Sequence, residues 1–180
     1  MLPDLKRIVI IGPESTGKST LTQSLAKHFD TEYVPEYARI YLEQLDRPYN
    51  EDDLLLIAKG QLALEDEIAD DTVTPYLFCD TDLYVIKVWS ENKYGRCATE
   101  ILQWIATRQY DFYILTDIDM PWQDDPLREH PLAEMREYFF KIYKDIVQHS
   151  GIPFTIVSGS EERRLESAVA AISEFERLHQ

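Results

Sequence analysis

Eight residues near the amino terminus carry the groups needed to hold a chain of phosphates. Gly12–Ser19 reads GPESTGKS and fits the pattern G-x-x-x-x-G-K-[ST]. Gly12 and Gly17 allow backbone angles and a close approach that a side chain would block. The stretch Gly12, Pro13, Glu14, Ser15, Thr16, Gly17, Lys18, Ser19 and Thr20 is therefore the expected ATP-binding loop. Its inward N–H groups form an anion nest at the positive end of the following helix. Lys18 reaches the β- and γ-phosphates, and the Ser19 hydroxyl ligates magnesium. A glycine-rich turn that merely caps a helix leaves the Lys-Ser pair unexplained.

Phosphate binding becomes phosphoryl transfer when a magnesium carboxylate, a base and a mobile cation are added. Asp80 ends an apolar run and is placed to hold the metal shell; a helix N-cap is the competing reading. Glu36 follows Pro35 directly and can take a proton from an acceptor hydroxyl, or act as a first-turn helix acid. Arg39, about one turn later, is expected to face the same cleft. The polar, proline-punctuated segment Asp117–Pro131 has the composition of a lid. Its Arg128 is the cation best suited to reach the transferring phosphoryl group; a surface salt bridge with Asp124 or Asp125 is the alternative. Lys18, Glu36 and Arg128 are thus the expected catalytic residues, and Ser19 and Asp80 the expected magnesium ligands.

These residues must be positioned by strands that stop where the chemistry starts. Short apolar runs at Arg7–Ile11, Glu32–Val34, Tyr76–Cys79, Phe112–Leu115 and Phe154–Val157 suit buried parallel strands. Between them, spacing predicts helices. One is set by Leu21, Leu25 and Phe29. Another spans Asp52–Asp70, with Leu55, Ala58, Leu62 and Ala69 on one face. Leu83–Ser90 and Ala98–Arg108 are two more. Leu132, Met135, Phe139, Ile142 and Ile146 mark a further helix, and Leu165, Val169, Ile172 and Phe175 the last. Strands alternating with helices imply an α/β, three-layer P-loop fold: a parallel sheet of about five strands, helices on both faces and a lid, in one domain over residues 1–180. Ligands in such sheets bind beyond the carboxyl ends of the strands. Gly12–Ser19, Glu36, Asp80–Asp82, the 117–131 loop and Ser158–Ser160 all fall there.

Composition narrows the partners. The 180-residue chain has a formal net charge of −15, which argues against a nucleic-acid partner and requires any phosphate to be captured by a few local groups. No apolar run approaches the roughly 20 residues needed to span a bilayer. The opening MLPDLKRIVIIG does not read as a leader, so a cytoplasmic location is expected. Cys79 and Cys97 lack metal spacing and read as reduced thiols. Asn92–Gly95 lacks the Asp of a guanine-reading motif and reads as a helix end with a C′ glycine.

Together, GPESTGKSTL, VPEYAR, FCDTDL and PWQDDPLR resemble the ribosylnicotinamide kinase domain of the NadR-like family, P-loop kinases of the nucleoside and nucleotide kinase fold. The resemblance runs from about Lys6 to the last helix. It implies ATP- and magnesium-dependent phosphorylation of the 5′-hydroxyl of nicotinamide riboside, giving nicotinamide mononucleotide. It also implies that Asp82 holds the acceptor ribose hydroxyls with Glu36 and Arg39 nearby. An aromatic such as Tyr37, Tyr84 or Trp122 would stack on the pyridinium ring, and Ser158 and Gly159 would border the adenine. Bifunctional relatives carry an adenylyltransferase domain and a DNA-binding region. This sequence has no H-x-G-H motif, so those activities are not carried over. A kinase for another nucleoside or nucleotide, or a nucleotide-binding module without turnover, remains open, as does self-association.

Overall fold

Apolar residues on both sides of each strand, rather than on one, determine the layering. A computed structural model describes residues 5–179; the first four residues of the segment examined for a leader, and Gln180, lie outside them. The element order is β1 (Lys6–Ile11), α1 (Lys18–His28), β2 (Tyr33–Val34), α2 (Tyr37–Glu43), α3 (Glu51–Asp71), β3 (Tyr76–Asp80), α4 (Leu83–Tyr94), α5 (Thr99–Thr107), β4 (Phe112–Thr116), α6 (Ala133–His149), β5 (Phe154–Val157) and α7 (Glu161–His179). The five strands form one sheet in the order β2-β3-β1-β4-β5, and every pair is parallel.

Successive strand side chains point to opposite faces, so β1 feeds two cores at once. Ile8 and Ile10 pack with Phe78, Phe112 and Ile114 under Leu21 and Leu25 of α1 and Ala168 and Ile172 of α7. Val9 and Ile11 pack with Leu77, Cys79, Tyr113 and Leu115 against Val88 of α4 and Phe139, Tyr143 and Val147 of α6. Burying each such aliphatic contributes about 1.5–3 kcal/mol. A third cluster joins α3, α4 and α5 through Leu54, Ile57, Leu83, Ile86 and Ile101. Among the described residues no helix is long and apolar enough to cross a membrane. Cys79 and Cys97 are free thiols.

Two helical faces differ from expectation. The buried stripe of α3 runs through Leu54, Ile57, Ala58, Gln61 and Glu65, whereas Leu55 and Leu62 are only partly buried. Period counting misplaces the stripe because two of its members are polar. Each is paired: Gln61 Oε1 accepts the Tyr37 N–H at 2.8 Å, and Glu65 accepts Arg108 Nε at 3.1 Å and the Tyr110 hydroxyl at 2.9 Å. On α6, Leu132 is 65% exposed at the N-cap, and the buried stripe contains Arg136. The helix α2 begins just after Glu36, where a helix start was the alternative reading of that acid; none of its residues is fully buried, so it gives little apolar signal of its own. At the end of α4, Gly95 takes the left-handed conformation at φ 69°, as a C-terminal glycine should.

Candidate functional site

The phosphate loop is fitted to its neighbours so that only glycine serves at its start. Gly12 has φ 149°, and a Cβ there would fall 2.4 Å from Thr116 Oγ1 on β4. Thr16 Oγ1 reaches the same hydroxyl at 2.7 Å and Pro13 O at 2.8 Å, which ties the loop to itself and to the sheet. Gly17 caps α1 in the left-handed region with no side-chain cap, and the first turn holds no acid. The first N–H groups of α1 and the positive end of its dipole are thus left for an anion. Lys18 Nζ donates to Pro13 O at 2.6 Å. Burial pushes its pKa down, while the charges of Glu36, Asp80 and Glu14 oppose that shift.

Two carboxylates face this lysine. Asp80 closes β3 and is 4% exposed. Its Oδ1 is buried with no hydrogen-bond partner, and its carboxylate also meets the Ser19 hydroxyl. Burial raises its pKa. Glu36 is the N-cap residue of α2 but its side chain makes no cap bond; it lines the same cleft as Lys18. Burial, then the Asp80 charge, raises the Glu36 pKa, and Lys18 and Arg39 act against both.

The N-cap role considered for Asp80 belongs to Asp82. Thr81 takes φ 71°, a strained value for a β-branched residue, and turns the chain between the two acids. Asp82 Oδ1 accepts the Tyr84 N–H at 3.0 Å and Oδ2 accepts the Tyr113 hydroxyl at 2.7 Å. With both oxygens engaged, it faces a separate cavity beside Arg108 and Tyr110. Asp82 is therefore placed at this second cavity and not among the residues that line the cleft with Lys18. Burial pushes its pKa up to about 7.

The segment 117–131 contains no helix or strand and folds over the phosphate loop. Gln123 N–H donates to Ser15 Oγ at 2.8 Å. Arg128 Nη1 donates to the same hydroxyl at 3.3 Å, and its guanidinium lies 5.8 Å from the Trp122 ring centre. The salt bridges weighed for Arg128 go elsewhere: Asp125 pairs with Arg39 at 2.8 Å, and Asp124 accepts Trp122 Nε1 at 2.9 Å. Two arginines that sequence reasoning missed also grip this region. Arg136 Nη2 donates to Ser15 O at 3.1 Å and Met120 O at 2.9 Å. Arg164 reaches Thr16 O at 2.8 Å, Gly159 O at 3.0 Å, Asp117 O and the Asp119 carboxylate. Both sit on the buried stripes of their helices, and an arginine among aliphatics at helical spacing was the available signal.

Lys18, Glu36, Arg39 and Arg128 line one cleft of about 210 Å³. Its apolar wall comes from Ala38 and Leu42 of α2, Val85, Val88 and Trp89 of α4, and Phe139 and Tyr143 of α6. Tyr37 and Trp122 are not part of that wall. The Tyr37 ring packs on Gly60, where a Cβ would lie 1.9 Å from it, and Trp122 supports Arg128 in the lid. The aromatic that faces the cleft from α4 is Trp89, held edge-on by Tyr49 at 4.8 Å. Ser158 and Gly159 border the lid base, one guanidinium (Arg164) away from the phosphate loop.

Which ions fit is decided by the donors. Among the described residues no group of three His, Cys, Asp or Glu side chains is set to hold a metal alone. Magnesium needs no such group, because it keeps waters and shares phosphate oxygens. The partnerless Oδ1 of Asp80, whose carboxylate the Ser19 side chain helps to keep charged, fits that demand.

A parallel sheet with a glycine-rich loop after its central strand, a lid and two facing carboxylates defines a P-loop domain of the nucleotide-kinase type. The chain belongs to the AAA domain family, whose profile matches residues 7–164. The trifunctional NAD biosynthesis/regulator protein NadR of Salmonella typhimurium is 25% identical over 163 residues, covering 87% of this chain and 39% of the relative. Its Escherichia coli counterpart is 26% identical over 159 residues, covering 85% and 38%. The chain thus spans about two fifths of the length of these curated relatives. A crystal structure of NadR protein in complex with NR superposes with TM-score 0.75 at 23% identity, covering 95% of this chain and 51% of that one. Thymidylate kinase from Ehrlichia chaffeensis gives TM-score 0.65 at 14% identity over 99% and 100%. These likenesses establish the fold.

Proposed function

We propose that this protein is a kinase that transfers the γ-phosphoryl group of ATP to the 5′-hydroxyl of nicotinamide riboside, giving nicotinamide mononucleotide. The observation that carries the transfer is the meeting of Lys18, Glu36 and Arg128 in one cleft beside a buried Asp80 oxygen with no partner. The acceptor rests on the similarity to NadR, whose crystal structure holds NR.

The roles follow from the chemistry. The loop N–H groups and Lys18 hold the β- and γ-phosphates. Ser19 and Asp80 would hold magnesium, which when bound would supply charge neutralisation at the phosphate oxygens. Glu36 accepts the proton of the acceptor hydroxyl, whose oxygen attacks the γ-phosphorus as the bond to the β–γ bridging oxygen breaks and ADP leaves. A carboxylate with a raised pKa is a better base for that proton. Arg128 donates to the equatorial oxygens of the transferring group. The apolar wall with Trp89 suits a partly apolar ring, and an indole at that wall would favour a cationic one.

An ADP-release screen over nicotinamide riboside, other nucleosides and nucleoside monophosphates tests the acceptor. Strong stimulation by nicotinamide riboside is expected. Stimulation by another acceptor and none by nicotinamide riboside would overturn the substrate and leave the kinase class standing.

A further inference from the structure

The phosphate loop carries a carboxylate where its own ligand makes one unwelcome. Glu14 lies inside GPESTGKS, lines the cleft, and places a negative charge beside a site for phosphates. Like charges at such range repel, so phosphate binding does not explain it. Its contacts do. Glu14 Oε2 accepts the N–H of Glu129 at 3.1 Å and that of His130 at 3.0 Å, and Oε1 accepts the Glu129 N–H at 3.2 Å. The neighbouring Ser15 Oγ accepts the Gln123 N–H at 2.8 Å.

The lid is therefore hung from the phosphate loop at two points, 123 and 129–130, with Arg128 between them. Outside the loop, the Glu129 carboxylate continues the attachment to the Tyr49 hydroxyl at 2.7 Å and Lys93 Nζ at 3.0 Å. Among the described residues the Arg128 guanidinium is held by Ser15 Oγ, Gln123 O and the Trp122 ring, so its aim follows the backbone on either side of it.

We propose that Glu14 is a positioning residue: its carboxylate latches the lid backbone at Glu129 and His130 and so aims Arg128 at the transferring phosphoryl group. Its catalytic consequence rests on the kinase reading, whereas the latch itself does not. A latch acts when the phosphoryl group is in flight, so its loss lowers kcat. Removing a negative charge from a phosphate site leaves the KM for ATP unchanged or lower. Both amides reach Oε2, with Oε1 only sharing the Glu129 N–H, and an amide carbonyl in the Oε2 place can accept both, so glutamine keeps most of what alanine loses.

The test uses the whole chain with Glu14→Ala and Glu14→Gln. In the ligand-free protein, amide hydrogen exchange at Glu129 and His130 is expected to quicken about tenfold or more in Glu14→Ala and to stay near the parent rate in Glu14→Gln. In the kinase assay, Glu14→Ala is expected to lose roughly tenfold or more in kcat, as the cut of charge-assisted bonds implies, with KM for ATP not raised and with recovery in Glu14→Gln. Unchanged exchange at both amides in Glu14→Ala overturns the latch. So does a raised acceptor KM at constant kcat, which makes Glu14 an acceptor ligand, or equal damage in both variants, which makes charge the cause. If no acceptor is phosphorylated by the parent protein, the kinase reading fails and the exchange measurement still decides the latch.

Discussion

Two buried carboxylate clusters, one at the carboxyl edge of the sheet and one beneath β1, have been given opposite treatment. Beneath β1, Glu65 is fully buried and fully paired: Arg108 Nη2 stands 2.7 Å from Oε1, Arg7 Nε 3.3 Å from the same oxygen, and the Tyr110 hydroxyl 2.9 Å from Oε2. At the other edge, Asp80 keeps a buried oxygen with no partner. Glu36 is pressed by burial and by the Asp80 charge. Folding alone favours the first arrangement, because a buried charge is tolerated when paired and hydrogen-bonded. The second makes sense if the missing partners arrive with the ligands. Of the three described non-glycine residues with positive φ, Ser15 and Thr81 lie at the carboxyl edge and Asp30 follows α1.

The comparison can be broken from either side. The largest effect belongs to Lys18→Ala, which removes the lysine that lines the cleft; transfer is expected to fall below detection in an ADP-release assay while the fold persists by circular dichroism. Arg128→Ala should lose on the order of 10³-fold or more in kcat, and normal turnover would show that the lid arginine lies idle. Glu36→Gln should lower kcat by about 10²–10⁴-fold, the range of a positioned base.

The same variant should also be more stable than its parent at neutral pH. The sign follows from linkage. Glu36 has a higher pKa in the folded chain than in the unfolded one, so the folded state binds its proton more tightly. Stability is then lost as pH rises from the ordinary glutamate range through the raised value, and glutamine removes that loss. Urea midpoints at pH 5 and pH 8 measure it, and a destabilised Glu36→Gln at pH 8 would contradict the account. Glu65→Ala is expected to do the reverse. It removes the buried partner of Arg7 and Arg108 and leaves them Asp66 alone, should cost about 3 kcal/mol in a urea titration, and should leave kcat near the parent value at a temperature where the variant is folded. The smallest effect is Asp82→Asn. The Asp82 pKa is raised to about 7, so this variant should flatten the stability profile between about pH 4 and pH 7. It should not change the KM for the acceptor, because Asp82 lies outside the cleft.

Sequence reasoning located the carboxyl edge well because its signals are local. A glycine-lysine-serine spacing and an acid just after an apolar run are visible within ten residues, and strand-end logic brings Glu36, Asp80 and Arg128 together without coordinates. It failed where contacts are long-range. Nothing near Glu65 in the sequence marks it as buried, because its partner Arg108 lies 43 residues away. Trp89 was passed over for Tyr37 and Trp122, because which side of α4 and α2 meets the cleft depends on packing against α3 and α6. Arg136 and Arg164 were hidden for the same reason: their partners are carbonyls of the phosphate loop, more than a hundred residues upstream. The separate placement of Asp82 was not legible, because a D-T-D run does not reveal the positive φ that Thr81 takes between the two acids.

The central claim is that the unpaired edge of the sheet performs phosphoryl transfer to a nucleoside hydroxyl. Phosphorus-31 NMR of the parent protein with ATP, magnesium and nicotinamide riboside tests it most directly. The account predicts a new phosphomonoester coupled to the C5′ protons, growing in step with ADP and slowed by Glu36→Gln. Inorganic phosphate and ADP alone, or no change in the ATP signals, would contradict it.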